Sequence, residues 1–348
     1  MPITYSKLSG KNDPFYGKFE HPIKALIENE SNSWEKKKDI LDFLFNVEKS
    51  NRHSETIMGQ SDFGEFEHVV EGAGAENDTV GKTFHKTIEH IPFMKEFTIT
   101  KEMADDAQMG MGTNMKALPK AFVRAYYRTR TRLAAQALVN GTKSSMKFNK
   151  ATVDLTVGDG LSLFSNAHTY AQEKFAGKTQ SNYFYSSALC STTSEFQKSL
   201  ATLSNKMRNF KDENGETMDY VADIVIIPSN RPGLEEIAKA VIGSEKTTGT
   251  GNNDINIQYN NWSLVILPGW ETTDDRFMIM SSDANQALSG SMFYNRVPLD
   301  VRNFIDDHTR NFVWNGYCRF GIGFTTWKHA LLAVDSDSAV TGATNLNA

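Results

Sequence analysis

Cysteine is nearly absent. The 348 residues hold two, Cys190 and Cys318, far apart and in no CxxC pair. That excludes a disulfide framework and a thiolate zinc site, and both are expected as reduced thiols. No apolar run approaches the roughly 18 residues of a membrane-spanning helix, so no membrane partner is expected. The stretch MPITYSKLSGKNDPFYGKF lacks the apolar centre of a secretory signal. A basic excess is lacking too: 37 Lys and Arg stand against 42 Asp and Glu, for a formal net charge of −5. Dedicated nucleic-acid binders usually show the opposite balance, although one basic surface is still compatible with it. There is no HExxH, no GxSxG and no internal repeat. What is present, 39% hydrophobic and 23% charged residues, fits a soluble globular protein of one large or two modest domains.

The longest helical signal is Pro119 to Val139, PKAFVRAYYRTRTRLAAQALV. Pro119 stands where a helix can start without losing a hydrogen bond, and Gly141 where one can stop. Phe122, Tyr126, Thr129, Leu133 and Ala137 recur at spacings of three and four and share a face. Arg124, Arg128 and Arg132 recur every fourth residue on another. A rod of about 20 residues is roughly 30 Å long, and the rest of the chain reads as arranged around it. Its apolar face is expected to pack on a strand from Asn311 to Phe324. There Phe312, Trp314, Gly316, Cys318, Phe320, Ile322 and Phe324 alternate with Val313, Asn315, Tyr317, Arg319 and Gly321.

Ahead of the rod, Met1 to Glu30 is polar and Pro-containing, and reads as an extended arm without its own core. Asn32 and Glu35 resemble a capping box and predict a short helix from about Ser33 to Val47. Phe63 to Val70 and Thr83 to Ile91 predict a long hairpin with GAGAENDTVG at its tip. Neither strand has enough apolar alternation to bury a face, so the hairpin is expected to pack outside its own domain. After the rod, 140–185 reads as loop. Helices are predicted at Thr193–Asn209 and Arg231–Ile242, a turn at Asn214–Gly215, and strands at Ile224–Ile227, Trp262–Leu267 and Phe277–Met280. This alternation implies an α/β module with a central sheet. The tail from Asp335 is expected to fray.

The chemical motifs are weak. GAGAENDTVGKT lacks the glycine that a phosphate-binding loop needs five positions before Gly-Lys; Glu76 is there and would repel phosphate. Asp212, Asn214 and Gly215 hint at a calcium loop, but Thr217 and Asp223 stand where glycine and glutamate are required. His168, near Ser165 and Asp159, is the best candidate for catalysis, with a packed loop histidine as the plainer reading. No catalytic, cofactor or metal set assembles. The acidic cluster Glu102, Asp105 and Asp106 reads as a solvated face or as a partner for arginines. The arginine row is either a solvated face or a surface for polyanion or for a neighbour's carboxylates.

Taken in order, several stretches resemble the major capsid proteins of tailed bacteriophages, the Hong Kong 97-type fold, and among them the Mu-like head-subunit branch. These are FEHVVEG…GKTFHKTIEH, FTITKEMADDAQ, RTRTRLAAQAL, GLSLFSNAHTY…GKTQSN, FKDENGETMDYVADIVIIPSNRPGLEEIAKAV and FGIGFTTWKHAL, which together span about residues 30 to 334. The resemblance implies an α+β capsid fold. Its parts would be an N-arm (1–58), an E-loop (59–98), a P-domain with the spine helix (99–144), an A-domain (145–310), a returning P-domain strand (311–334) and a polar tail (335–348). It implies self-assembly, as hexamers and pentamers, into an icosahedral head around double-stranded DNA, after synthesis in a bacterial cytoplasm. The implied partners are further copies, a portal, a separate scaffolding protein and packaged DNA bound without sequence preference; no cofactor is implied. Arg124, Arg128 and Arg132 become the candidates for facing a neighbour or DNA. Two rivals are an encapsulin-type shell around protein cargo and an α/β hydrolase-like enzyme using His168.

Overall fold

The computed structural model describes residues 4–5, 16–37, 39–60, 66, 68–72, 74, 82–106, 113–171, 177–246 and 255–347. The first elements are β1 (Thr4–Tyr5), α1 (Tyr16–Glu35), α2 (Ile40–Leu44), β2 (Asn46–Lys49), β3 (Ser54–Gln60), β4 (Lys82–Glu89), β5 (Ile91–Ile99) and α3 (Lys101–Asp106). The middle holds α4 (Thr113–Val139), β6 (Ser145–Phe148), β7 (Ala151–Asp154), β8 (His168–Thr169), β9 (Thr179–Gln180), β10 (Tyr183–Ser186), α5 (Thr193–Arg208), β11 (Ile224–Pro228) and α6 (Pro232–Gly243). The last third holds β12 (Ser263–Leu267), β13 (Arg276–Met280), α7 (Ser282–Ala287), β14 (Ser291–Ile305), β15 (Phe312–Phe324), β16 (Ala330–Asp335) and β17 (Thr344–Asn345).

Two sheets organise these elements. In the first, β14 and β15 form a long antiparallel ribbon, paired from Ser291 opposite Phe324 to Ile305 opposite Phe312. β5 extends it beyond β15, while β1 and β2 pair with successive stretches of β14. The alternation that predicts β15 is realised. β14 was not predicted, because Pro298 and register shifts between Asn295 and Asp300 interrupt its alternation. The second sheet has the order β12-β11-β13-β16-β10-β17. β11, second from one edge, is buried along its whole length, as expected of a short continuous apolar run. The apolar run Trp327–Val334 does not continue β15; its strand, β16, belongs to the second sheet. Nor does the tail simply fray. β17 pairs with β10, and buried Leu346 donates its N–H to the Tyr185 carbonyl at 2.9 Å. The region 140–185 is likewise not all loop, since β6 and β7 form a hairpin and β8 pairs with β9.

α4 starts at Thr113, and Pro119 lies inside it rather than at its first position. Proline there forfeits one helical hydrogen bond near the N-terminus. Phe122, Val123 and Tyr127 pack with Trp314 and Val301 of the first sheet and with Ile23 and Ile27 of α1. Phe97 lies between them, 5.2 Å from the Phe122 ring and stacked on Trp314 at 6.1 Å. Leu133, Ala134, Ala137 and Leu138 enter the larger core shared with Phe320 and the second sheet.

The expected coreless arm is therefore overturned for the described part of α1. Asn32 is internal to this helix and caps nothing; the helix runs to Glu35, and Asp39 caps the separate α2 through the Ile40 N–H. Apolar residues are few here, but Ile23, Ile27, Ser31 and Trp34 recur at three and four and meet one partner face. The Ser31 and Tyr127 hydroxyls lie 2.8 Å apart, and the Trp34 ring stacks on Tyr127 at 5.7 Å. In free subunits, amides from Ile27 to Trp34 should exchange hydrogen slowly, and those of exposed Val69 and Val70 quickly. Equal exchange in the two segments would contradict the docking of α1.

The hairpin is β3 with β4, registered from Ser54 opposite Glu89 to Gln60 opposite Lys82. The predicted outer strand at Phe63–Val70 is displaced: Phe66, Val69 and Val70 are exposed outside any strand. Phe63 and most of the glycine-rich tip lie outside the described residues. The strand SETIMGQ escapes a hydrophobicity-based reading because little of it is buried. The root of the hairpin is anchored in its own chain. Ile88 is buried against Met292 and Tyr294, and the Lys86 ammonium donates to Asp154 Oδ2 at 2.5 Å and to Thr156 Oγ1 at 2.8 Å.

Candidate interaction surface on the central helix

Along α4, Lys116, Lys120, Arg124, Arg128 and Arg132 stand at every fourth position, so the cationic row is longer than the three arginines. It covers roughly 24 Å of helix at about 1.5 Å per residue. Lys116 and the three arginines are exposed. Their surroundings divide them. Arg124 Nε donates to Glu30 Oε1 at 3.1 Å, and Trp34 Nε1 donates to the same oxygen at 3.2 Å, so Arg124 ties α1 to α4. The Arg124 side chain is 51% exposed, which places this pair among those contributing under about 1 kcal/mol. Arg128 and Arg132 form no ion pair among the described residues. Glu102 is exposed in α3, and the side chains of Asp105 and Asp106 lie outside the described residues.

The periodic reading misses Arg130, which is out of step with the row and turned inward. Its guanidinium stands 5.6 Å from the Tyr126 ring, 5.9 Å from Tyr127 and 5.5 Å from Phe293. The signal was an arginine outside the four-residue repeat, between two tyrosines and an apolar segment.

His168 and Asp159 do come together, but away from solvent. His168 Nδ1 lies 2.7 Å from Asp159 Oδ2 and its Nε2 lies 3.2 Å from Asn182 Oδ1. The His168 side chain is 0% exposed and that of Asp159 1%, and the imidazole stacks on Trp327 at 4.5 Å. Both ring nitrogens are occupied within the chain. Ser165 contributes its N–H to Asn182 Oδ1, and its hydroxyl accepts from the Ala167 N–H. This is a strut, with neither a nucleophile bonded to the ring nor a path for substrate. Asp212 Oδ1 accepts from the N–H groups of Asn214 and Glu216, both at 2.8 Å, and Gly215 has φ +88°. A tight turn results. Among the described residues, no three His, Cys, Asp or Glu side chains are grouped to hold a metal, and no helix is long and apolar enough to cross a membrane. Cys190 and Cys318 are free and buried; burial pushes the Cys318 thiol up to about 12, and the Cys190 thiol upward as well. Both are therefore poor nucleophiles.

Residues 93–333 match the model of a family described as phage capsid protein. Similar solved structures include the capsid of Myoviridae phage XM1, 10% identical, covering 86% of this chain and 93% of that one, with a TM-score of 0.45. The capsid of cyanophage P-SCSP1u is 11% identical, covering 87% and 89%, with a TM-score of 0.49. The satellite phage P4 procapsid with its size-determination protein is 10% identical, covering 96% and 98%, with a TM-score of 0.45. Comparison with curated proteins found no match.

Proposed function

This chain belongs to the phage capsid protein family, and from that premise we propose how its parts serve a phage head. It is the subunit that assembles into the head, and its place is the virion capsid. The observation that carries this is the family match, which runs from β5 through α4 and both sheets to β16. The mixed architecture of long helix, hairpin, antiparallel ribbon and second sheet accords with the Hong Kong 97-type fold.

The finer assignments are ours. The N-arm (1–58) would include α1, docked on α4. The hairpin would be the E-loop, with its first strand beginning at Ser54, ahead of 59. Its exposed Met58, Phe66, Val69 and Val70 suit contact with a neighbouring subunit. The P-domain would comprise α4 and the first sheet, which takes in β14. The A-domain would comprise the second sheet, which takes in β16 and β17. Hexamers and pentamers, a portal, a separate scaffolding protein and packaged DNA complete the reading. The role is structural rather than enzymatic, since the buried His168 strut offers no catalytic site. Electron microscopy of the purified protein tests this: closed shells are expected, and a small oligomer with turnover would refute it.

Arg128 and Arg132 would face DNA phosphates or a neighbour's carboxylates, being exposed without an ion pair among the described residues, whereas Arg124 is engaged by Glu30. Arg128→Ala and Arg132→Ala should each change subunit stability by under about 1 kcal/mol. Assembly or DNA retention should fall, and the deficit against wild type should shrink as salt rises. Normal empty shells that lose DNA would identify phosphate as the partner, and failure of empty shells to form would identify carboxylates. Unchanged assembly and packaging would return the row to a solvated face.

A further inference from the structure

β17 closes one edge of the second sheet. β16 and β17 lie on either side of β10 and both run parallel to it, so residues 336–343 carry the chain across from one side to the other. The two sides are held very differently. β16 pairs with β10 from Tyr183 opposite Leu332 to Ser186 opposite Asp335, pairs with β13 as well, and is buried from Ala330 to Val334. β17 is registered on β10 only by Phe184 opposite Thr344 and Tyr185 opposite Asn345. Three further bonds flank that pair. The Leu346 N–H donates to the Tyr185 carbonyl at 2.9 Å, the Thr344 hydroxyl to Ser181 Oγ at 3.0 Å, and Asn347 Nδ2 to Ser186 Oγ at 3.4 Å.

Among the described residues after Asp335, Leu346 alone is buried; Val340 and Ala343 pack only partly against the core, and most of the others are exposed. Burying one leucine offsets little of the entropy lost in ordering the whole segment. The segment therefore stands at the low end of local stability, and it can open while β11, β13 and β16 stay paired. Opening it uncovers the edge of β10, with its backbone N–H and C=O groups at strand spacing. The hydroxyls of Ser181 and Ser186 stand at the two ends, and the socket that Leu346 fills lies beside them. Strand addition to such an edge draws affinity from main-chain bonds and selectivity from alternate side chains. Thr344 and Leu346 are alternate residues, so the pattern this edge reads is Thr-x-Leu.

We propose that β10 is a strand-addition site for an extended peptide of the Thr-x-Leu pattern, and that the chain's own segment 336–347 is a releasable strap occupying it. The strap is seated in the structure, so the site and its occupant are both on one subunit. The proposal does not rest on the shell reading.

The test uses the full chain carrying Leu346→Asp and a fluorescent synthetic peptide of residues 336–348. In the variant, amides of β11, β13 and β16 should exchange hydrogen as slowly as in wild type, while those of β17 should exchange freely. The peptide should bind the variant roughly tenfold more tightly than wild type, whose own strap competes for the site. A peptide carrying Leu346→Asp should bind neither protein. The proposal is overturned if the unaltered peptide binds neither protein or both equally, or if the altered peptide binds as well as the unaltered one. Loss of protection in β11 and β13 of the variant would overturn it too, since the segment would then be part of the cooperative fold and not a strap.

Discussion

Asn182→Ala should destabilise the subunit by about 3–5 kcal/mol, because several buried partners each lose a bond worth about 1–3 kcal/mol when left unmet. Asn182 is 0% exposed. Its Nδ2 donates to the carbonyls of Leu163 at 2.8 Å, Ala330 at 3.0 Å and Trp327 at 3.3 Å. Its Oδ1 accepts from the Ser165 N–H at 3.0 Å and faces His168 Nε2 at 3.2 Å. One side chain thus joins the loop ahead of β8, the start of β10 and the start of β16, the segment by which the chain enters the second sheet. Asn182→Asp separates bonding from shape. It is nearly isosteric and keeps the acceptor end, but it turns a second oxygen towards three carbonyl oxygens. It should lose at least as much stability as the alanine variant. Chemical denaturation of free subunits decides the matter, and an aspartate variant as stable as wild type would show that the Nδ2 bonds contribute nothing.

That node also shows where sequence reading stops. His168, Ser165 and Asp159 were recognisable as a group, since loop residues close in sequence stay close in space. Asn182, which determines what the group does, carries no pattern; its partners are backbone carbonyls as far away as Ala330. Elements with unbroken periodicity were legible: α5, α6, β11, β13 and above all β15. Those whose period is broken or whose faces are exposed were not. β14 hides behind Pro298 and its bulges, and β3 behind its polarity. α1 needs only four residues on Tyr127, Val123 and their neighbours, too few to register against its charged remainder. The arginine row was legible as a row. That Arg124 serves the fold and Arg130 turns inward follows from tertiary neighbours alone.

The second large effect concerns the hairpin root. Gly321 lies on β15, opposite Tyr294. A Cβ there would stand 2.7 Å from the Glu89 carbonyl oxygen and 2.8 Å from His90 Nδ1. Neither can yield easily. The His90 carbonyl accepts from Arg319 Nε at 3.3 Å, and His90 Nε2 lies 2.9 Å from the Ser50 hydroxyl, whose own backbone N–H is held by the Asn295 carbonyl. Gly321→Ala should therefore force β15 and the β4–β5 junction apart, costing about 3 kcal/mol, the upper end of ordinary overpacking. Gly323→Ala is the control. Its Cβ would meet only the buried Ile88 side chain, at 2.8 Å, and no backbone atom, so a smaller loss of about 1–2 kcal/mol is expected. The two should also differ in their response to acid. Burial, reinforced by Arg319, holds the His90 imidazole below its ordinary 6.5, so the ring is neutral in the fold. The unfolded chain then binds the extra proton. The contribution of His90 is fully present above pH 6.5 and is lost as pH falls from 6.5 towards the folded value. Wild type and Gly323→Ala should lose stability through that window. Gly321→Ala, with the histidine pushed towards water, should already lack part of it and respond less. Melting curves at pH 7.5 and pH 5.5 make the comparison, and equal losses in all three proteins would separate His90 from the packing at Gly321.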